Sequence, residues 1–146
     1  MSGGGRCNVT HHCFENGELI KNYPRGEKEL RQVFSQFSVQ DTIDWFLKRG
    51  VKLKVEQDGR MFPESNTSET IINCFLQEAQ KHHIDINLNE EVLSIDKAED
   101  GALKVKTSKE NYSADAVICC IGGHNQEENY AFLKQCGHTI DELIPS

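Results

Sequence analysis

The sequence predicts an α/β fold with some α+β character, because its hydrophobic pattern changes twice along the 146 residues. Between residues 27 and 83 apolar side chains recur at helical spacing, whereas from residue 84 onward they alternate with a period of two. Residues 116–121 then form an uninterrupted apolar run that ends in Gly122-Gly123. Such a run is typical of a parallel strand buried on both faces. We therefore expect a helical insert, an antiparallel β-meander and a final parallel strand, in that order.

Three helices are predicted in the first half of the chain. Ser38 with Asp41 forms a capping pattern that opens the second helix, and Gly50 ends it. Asn66 with Glu69 is the corresponding start of the third. The apolar faces of the three helices are formed by Leu30, Val33, Phe34 and Phe37, by Val39, Ile43, Phe46 and Leu47, and by Ile71, Ile72, Phe75, Leu76 and Ala79.

Strands are predicted from alternation and from turn residues. Residues 51–55 alternate between apolar and charged side chains and precede the turn Asp58-Gly59. Alternation returns at residues 84–88, 92–95 and 103–106, separated by a turn around Gly101. A last helix is expected at residues 126–136, where Gly137 closes it.

Composition and charge limit the partners. No apolar stretch approaches the roughly 18 residues of a membrane span. The net charge of −7 is a poor match for non-specific nucleic-acid binding, which depends on neutralising phosphates. We expect neither a membrane nor a nucleic-acid partner. The chain starts without an apolar signal-peptide core, so the expected location is the cytoplasm.

The six cysteines are therefore expected to be reduced thiols, with Cys74, Cys119 and Cys120 as small core residues. Cys7, His11, His12 and Cys13 have the side-chain types of metal ligands, but their spacing is not a two-plus-two zinc pattern, and no metal site is expected.

The first 26 residues are rich in turn residues and show no period. The triplet Gly3-Gly4-Gly5 lets the backbone approach a ligand closely, because glycine has no side chain and adopts positive φ. Successive amides in such a loop can form an anion-binding nest, and Arg6 adds a forked cation suited to phosphate. From these residues alone, a flexible tail stays open as the alternative.

Short motifs occur along the chain in a fixed order. They are Ser-Gly-Gly-Gly-Arg-Cys-Asn-Val-Thr at residues 2–10, Asn-Tyr-Pro-Arg at 22–25, Gln-Phe-Ser at 36–38, Asp-Thr at 41–42, Gly-Val-Lys-Leu-Lys at 50–54, Gly-Arg-Met-Phe-Pro at 59–63 and Ser-Ala-Asp-Ala-Val-Ile at 113–118, followed by Gly122-Gly123. This set resembles a bacterial flavoprotein family described as NAD(FAD)-utilising dehydrogenases or aminoacetone-oxidase-like FAD-binding oxidoreductases.

The resemblance implies a partial FAD/NAD(P)-binding domain of Rossmann type. The chemistry it implies is oxidation or reduction of a small organic substrate through the flavin, with NAD(P)H as a candidate electron source. It assigns no catalytic residue, and it places Arg60 and Phe62 on the flavin and substrate side. The residues that it implies at the FAD site are Gly3, Gly4, Gly5, Arg6, Cys7, Asn8, Val92, Gly122 and Gly123. Some flavin reductases carry a redox-active cysteine pair in a similar loop, which makes Cys7 with Cys13 a further alternative.

On the same basis, residues 1–26 are an FAD-contacting loop region, and residues 27–83 are a helical insert with a short strand. Residues 84–146 are the meander, the last parallel strand and the C-terminal helix. The chain contains no G-x-G-x-x-G turn, so it is expected to be an interior fragment that binds FAD weakly or not at all and is inactive alone. Its cut edges could support a homo-oligomer. The alternative is a stand-alone, non-enzymatic module that binds a partner on the same scaffold.

Overall fold

The computed structural model describes residues 5–23, 26–123 and 126–143. The predicted site residues Gly3 and Gly4, and the Pro24-Arg25 half of one motif, lie outside these ranges. The chain divides into two compact units, one within residues 1–86 and the other within residues 87–146.

The first unit combines short helices with a three-stranded antiparallel sheet. Its strand order is β1-β3-β2, and Thr10 pairs with Met61 while Lys54 pairs with Phe62. The elements are β1 (Thr10–His11), α1 (Asn16–Leu19) with a following 3-10 turn (Ile20–Asn22), α2 (Glu27–Gln36), α3 (Val39–Leu47), β2 (Leu53–Val55), β3 (Arg60–Pro63) and α4 (Ser68–Lys81).

The three predicted helices are present as α2, α3 and α4. At the start of α3 the predicted capping box is complete, because the backbone amides and side chains of Ser38 and Asp41 bond reciprocally. Gly50 follows α3 in the left-handed region, with φ +77°. The predicted cap of α4 is wrong by one residue. Thr67 is the cap there, and its hydroxyl accepts from the Glu69 amide.

The amino-terminal segment is more ordered than the sequence indicates. Leu19 and Ile20 are buried, and Ile20 is fully inaccessible to solvent. The Asn16 side-chain amide donates to the Phe34 carbonyl at 2.8 Å, which ties α1 to α2. A periodicity argument cannot detect these elements, because a helix of four residues and a strand of two each span only about one hydrophobic period, and no repeat is visible.

The core of the first unit lies between α3, α4 and the sheet. Its buried members are Phe46, Val51, Ile71 and Cys74, and the partly buried Cys7, Val9, Trp45 and Leu53 pack against them. Because Cys7 and Val9 belong to the amino-terminal loop, that loop is held against the core directly.

The second unit is a three-stranded antiparallel meander of order β4-β5-β6, followed by a short helix. The predicted turn at Gly101 is present, with φ +87°. The elements are β4 (Val92–Lys97), β5 (Leu103–Thr107), β6 (Asn111–Ala114), a 3-10 turn (Glu127–Tyr130) and α5 (Ala131–Gln135). The meander and the last helix are therefore confirmed.

The predicted final parallel strand is wrong for this structure. Residues 116–121 have no regular secondary structure, and Ile118 is 87% exposed. Cys119 and Cys120, expected in the core, are exposed as well. A parallel strand is stable when neighbouring strands and covering helices bury both its faces, and none of the described strands pairs with this run. Residues 84–88 likewise alternate in sequence without forming a strand.

The fold class itself is confirmed as a mixture of helices and strands. No helix within the described ranges is both long and apolar enough to cross a membrane.

Candidate functional site

In the described part of the glycine-rich loop, the backbone angle φ alternates in sign. Gly5 has φ +70° and Cys7 has φ +57°, whereas φ of Arg6 between them is not positive. Within the described residues, the backbone amides of Arg6, Cys7 and Asn8 donate to no acceptor. Alternation of this kind forms a concave nest of amide donors that suits an anion. A Cβ atom on Gly5 would meet nothing within 4 Å, so the loop is open on that side.

The side chain of Arg6 is held in place by two neighbours. Its guanidinium carbon lies 4.2 Å from the centre of the Phe62 ring, and its Nη2 atom forms an ion pair with Glu56. The Nε atom is buried and has no hydrogen-bond partner in the described structure. Arg6 therefore keeps one inaccessible donor unsatisfied, which is uncommon for a buried polar atom.

Arg60 lies near the same aromatic ring as Arg6. Its guanidinium carbon is 5.5 Å from the centre of the Phe62 ring, and its Nε atom donates to Asp58 at 2.7 Å. The hydrogen bond from the Arg60 backbone amide is the main cause that lowers the pKa of the Asp58 carboxyl. The Arg60 side chain lowers this pKa further. The structure thus brings together the predicted loop residue Arg6 and the predicted substrate-side residues Arg60 and Phe62.

Cys7 and Asn8 connect the loop to the strands. Cys7 packs on the core, and both Cys7 and Cys13 are free thiols. In the orientation that satisfies its surroundings, the Asn8 side-chain amide donates to the carbonyls of Met61 and Thr10, at 3.2 and 2.9 Å. Across residues 5–23, 26–123 and 126–143, no three side chains of the metal-ligating types are grouped to hold an ion.

A cavity of about 340 Å³ lies beside β1 in the first unit. Its apolar wall consists of Val9, Leu19, Phe34 and Val39. Its polar lining consists of Asn8, Thr10, His11, Tyr23, Ser38 and Thr42. None of these ten residues is Asp, Glu, Lys or Arg, so the cavity is polar without carrying a fixed charge.

Sequence reasoning singled out Asn8 and Thr10 as hydrogen-bonding residues of the loop but missed the rest of this cavity. Thr42, at the start of α3, and His11, in β1, are far apart in sequence and meet only through the packing of α3 near β1. The available signal was a set of hydroxyl residues next to the capping motif, which by itself indicates only a helix start.

A larger cavity of about 560 Å³ belongs to the second unit. The predicted residue Val92 lines it, together with residues 117–121. Gly122 follows this run directly and has φ +72°, and a Cβ atom on Gly122 or Gly123 would meet nothing within 4 Å.

Glu90, at the rim of the larger cavity, accepts hydrogen bonds from the hydroxyls of Thr107 and Tyr112. Both hydrogen bonds lower the pKa of the Glu90 carboxyl, and the bond from Thr107 has the larger effect. The bond to Glu90 is also the main cause that raises the pKa of Tyr112. This network fixes the rim next to Val92.

The charge of the chain is distributed unevenly between the two units. Residues 1–86 contain 11 basic and 12 acidic side chains, whereas residues 87–146 contain 5 basic and 11 acidic ones. Most of the net negative charge therefore belongs to the second unit, and the unit with the amide nest is nearly neutral.

Comparison with known proteins gives the chain its family. It is 33% identical over 101 residues to the ribosomal RNA dihydrouridine synthase of Escherichia coli (strain K12), a match that covers 69% of this chain and 24% of that protein. The chain thus spans less than two thirds of the relative's length. The family described as the HI0933-like protein Rossmann domain matches residues 1–143. The chain belongs to this HI0933-like Rossmann-domain family, the FAD-binding family that its ordered motifs resemble.

Proposed function

We propose that this chain is the part of an FAD-dependent oxidoreductase that places a backbone nest, residues 5–8, against the anionic portion of the cofactor. The observation that carries the proposal is the run of three amides at Arg6, Cys7 and Asn8 that donate to no acceptor among the described residues, in a backbone whose φ alternates in sign. FAD carries an anionic diphosphate that such donors can bind, and within the described residues no atom blocks the loop beside Gly5.

The donor set fits this cofactor. Backbone amides and the guanidinium of Arg6 match an anionic group, and the open face beside Gly5 leaves room for it. Glu56 and Phe62 orient Arg6, and the buried Phe62 ring keeps water away from one side of the guanidinium. When bound, FAD supplies two-electron redox chemistry at its isoalloxazine ring.

The remaining site residues are proposed from their surroundings. Val92 lines the cavity of the second unit, and Gly122 and Gly123 offer a backbone free of side chains for close approach to a ligand. Arg60 is proposed on the substrate side because it lies near the same ring as Arg6. We assign no catalytic residue. NAD(P)H is the proposed electron source and the cytoplasm the proposed location.

For the substrate we propose a pyrimidine ring, with a free small molecule as the alternative. The relative that is 33% identical over 101 residues is named as a ribosomal RNA dihydrouridine synthase. Dihydrouridine is uridine whose C5–C6 double bond has gained a hydride and a proton. An RNA substrate departs from the expectation based on the net charge of −7. It is compatible with the first unit, whose 11 basic and 12 acidic side chains nearly balance.

The flavin proposal is tested on the protein encoded by the whole gene. We expect it to purify with bound flavin, identified as FAD by chromatography after release, and we expect residues 1–146 alone to bind FAD weakly or not at all. Gly5→Ala is expected to lower FAD occupancy, because its Cβ enters the open face of the loop. Gly50→Ala is the matched control, since Gly50 has a similar positive φ and equally open surroundings.

A folded protein from the whole gene that takes up no FAD would contradict the proposal. It would favour the alternative of a non-enzymatic, partner-binding module on the same scaffold. Equal FAD occupancy in Gly5→Ala and Gly50→Ala would remove the glycine-rich loop from the site.

The substrate proposal needs a separate measurement. Ribosomal RNA from cells with and without the gene is digested to nucleosides, and dihydrouridine is measured by mass spectrometry. Loss of dihydrouridine on deletion supports a base in RNA. An unchanged content, with a flavin present, would favour the small organic substrate that the sequence first indicated.

A further inference from the structure

We propose that the cavity beside β1 binds a single uracil-type ring, a planar ring with carbonyl oxygens and an N–H group. The inference rests on the proposed function. The relative is named for making dihydrouridine, and this name is the reason to choose a pyrimidine among the planar rings that would fit. Three properties of the cavity support the proposal: its size, its unused hydrogen-bonding groups, and the absence of charged side chains among its ten described lining residues.

The size suits one ring. The volume of about 340 Å³ is at the lower end of the range for ligand sites, roughly 300–1,000 Å³. The aromatic residues Tyr23 and Phe34 line the cavity, and the centres of their rings are 5.8 Å apart. Val39 and Leu19 provide a buried apolar wall, only 3% and 5% exposed. A planar ring with two apolar faces fits such walls.

Several polar groups at the cavity are still free to bond. The hydroxyls of Thr10 and Tyr23 have no hydrogen-bond partner within the described residues, and each can donate to a carbonyl oxygen. The Thr42 hydroxyl donates to the Ser38 carbonyl at 3.1 Å, which leaves its lone pairs as acceptors.

His11 contributes a further acceptor. Its Nε2 atom lies 3.0 Å from the Asp58 carbonyl oxygen, and because a carbonyl can only accept, Nε2 carries the proton. In the neutral ring Nδ1 is then a hydrogen-bond acceptor. The residues that line this one small cavity thus carry groups that can donate and groups that can accept, as the carbonyl oxygens and the N–H of uracil require.

Other polar residues of the cavity are already engaged. Ser38 bonds to Asp41 as the helix cap, and Asn8 bonds to the carbonyls of Met61 and Thr10. Since none of the ten described lining residues is Lys or Arg, those residues provide no cation to neutralise a phosphate. The base, and not the sugar-phosphate, is therefore the part that the cavity selects.

The test is a titration of isotope-labelled chain 1–146, followed by amide NMR, with uridine 5′-monophosphate as the probe. We expect saturable shifts at Thr10, His11 and Thr42, and no corresponding shifts with ribose 5-phosphate, which lacks the base. Thr10→Val and Thr42→Val each remove a hydroxyl at nearly constant shape, and each should weaken binding about fivefold. Thr70→Val, on α4 and outside the cavity, should bind as the unmodified chain does.

A short oligouridylate distinguishes the source of the base. Tighter binding than the mononucleotide indicates a base within RNA, and equal binding indicates a free nucleotide. Either result supports a base site. Identical shifts with ribose 5-phosphate, no saturable shifts at the cavity, or unchanged affinity in both valine variants with intact spectra would overturn the proposal.

Neither flavin nor activity enters this titration, so its failure leaves the flavin proposal standing. Conversely, uridine binding together with a whole-gene protein that takes up no FAD would refute the oxidoreductase and keep the base site.

Discussion

The imidazole ring of His11 packs against the backbone of Gly59 so closely that a Cβ atom at residue 59 would lie 2.5 Å from its Cε1 atom. Gly59 also has φ +83° in the turn between β2 and β3, a conformation that favours glycine. A side chain at position 59 would therefore be strained by its backbone conformation and would also have to displace the His11 ring.

We predict that Gly59→Ala lowers the free energy of unfolding by about 2–3 kcal/mol, whereas Gly50→Ala lowers it by about 1 kcal/mol. Both residues have positive φ, but only Gly59 has a neighbour in the way. Urea denaturation measures both values. In a His11→Ala background the excess cost at position 59 should disappear, and equal costs in the native background would contradict the steric account.

The ring of Phe62 is a second position with a specific expectation. Phe62 is 5% exposed and carries the guanidinium of Arg6 on its face. Phe62→Ala should cost about 3–5 kcal/mol through cavity formation. Phe62→Leu should cost about 1–2 kcal/mol, because volume is nearly retained and the cation–π contacts are lost.

The control for the ring is Phe75→Leu, since Phe75 is 53% exposed. It should cost less than 1 kcal/mol (about the size of a surface substitution), measured by the same urea denaturation. If Phe62→Leu lowered the free energy of unfolding no more than Phe75→Leu does, the contact between Arg6 and the Phe62 ring would contribute nothing to stability.

The capping box at the start of α3 makes stability depend on pH. The hydrogen bonds from the Ser38 hydroxyl and amide lower the pKa of Asp41 below its ordinary value of 3.8. A carboxyl whose pKa is lower in the folded state stabilises fully above its unfolded pKa, and that stabilisation is lost as pH falls through the folded value. The stability gap between the unmodified chain and Asp41→Asn should therefore be constant near neutral pH and close in acid.

Removing the cap partner tests the same network. Ser38→Ala should lower the free energy of unfolding by about 1 kcal/mol at neutral pH, while Ser35→Ala, in the last turn of α2, should lower it less. Unfolding followed by circular dichroism at neutral and acidic pH measures both. A gap for Asp41→Asn that persists unchanged in acid is incompatible with the lowered pKa.

Thiol labelling separates the exposed cysteines from the buried one. Cys119, Cys120 and Cys136 are exposed and should react first with an aromatic disulfide reagent, followed by the half-buried Cys7 and Cys13. Cys74 is 4% exposed, and burial raises the pKa of its thiol, so it should react only on unfolding. Mass spectrometry of the partly labelled chain identifies the order. Protection of Cys119 and Cys120 would show that residues 116–121 are packed, as the sequence first indicated.

Local features were predictable because their causes lie within a few residues of one another. The Ser38–Asp41 cap, the stop at Gly50 and the turns at Gly59 and Gly101 need only neighbouring side chains and glycine's freedom of φ. The apolar run at residues 116–121 misled for the same reason. Its composition suits a buried strand, but a strand also needs partners, which a local pattern cannot supply.

The sequence by itself determined the family, the three helices and the antiparallel meander of this protein, and it singled out Arg6, Arg60 and Phe62. Only the tertiary structure decided that the two arginines lie near one aromatic ring, and that Thr10, His11 and Thr42 line one cavity. The physical reason is the separation along the sequence between the residues that determine each feature. Helices and turns are set by contacts over about four residues. Arg6 and Phe62, or His11 and Thr42, are tens of positions apart and come together only after the sheet and α3 have packed.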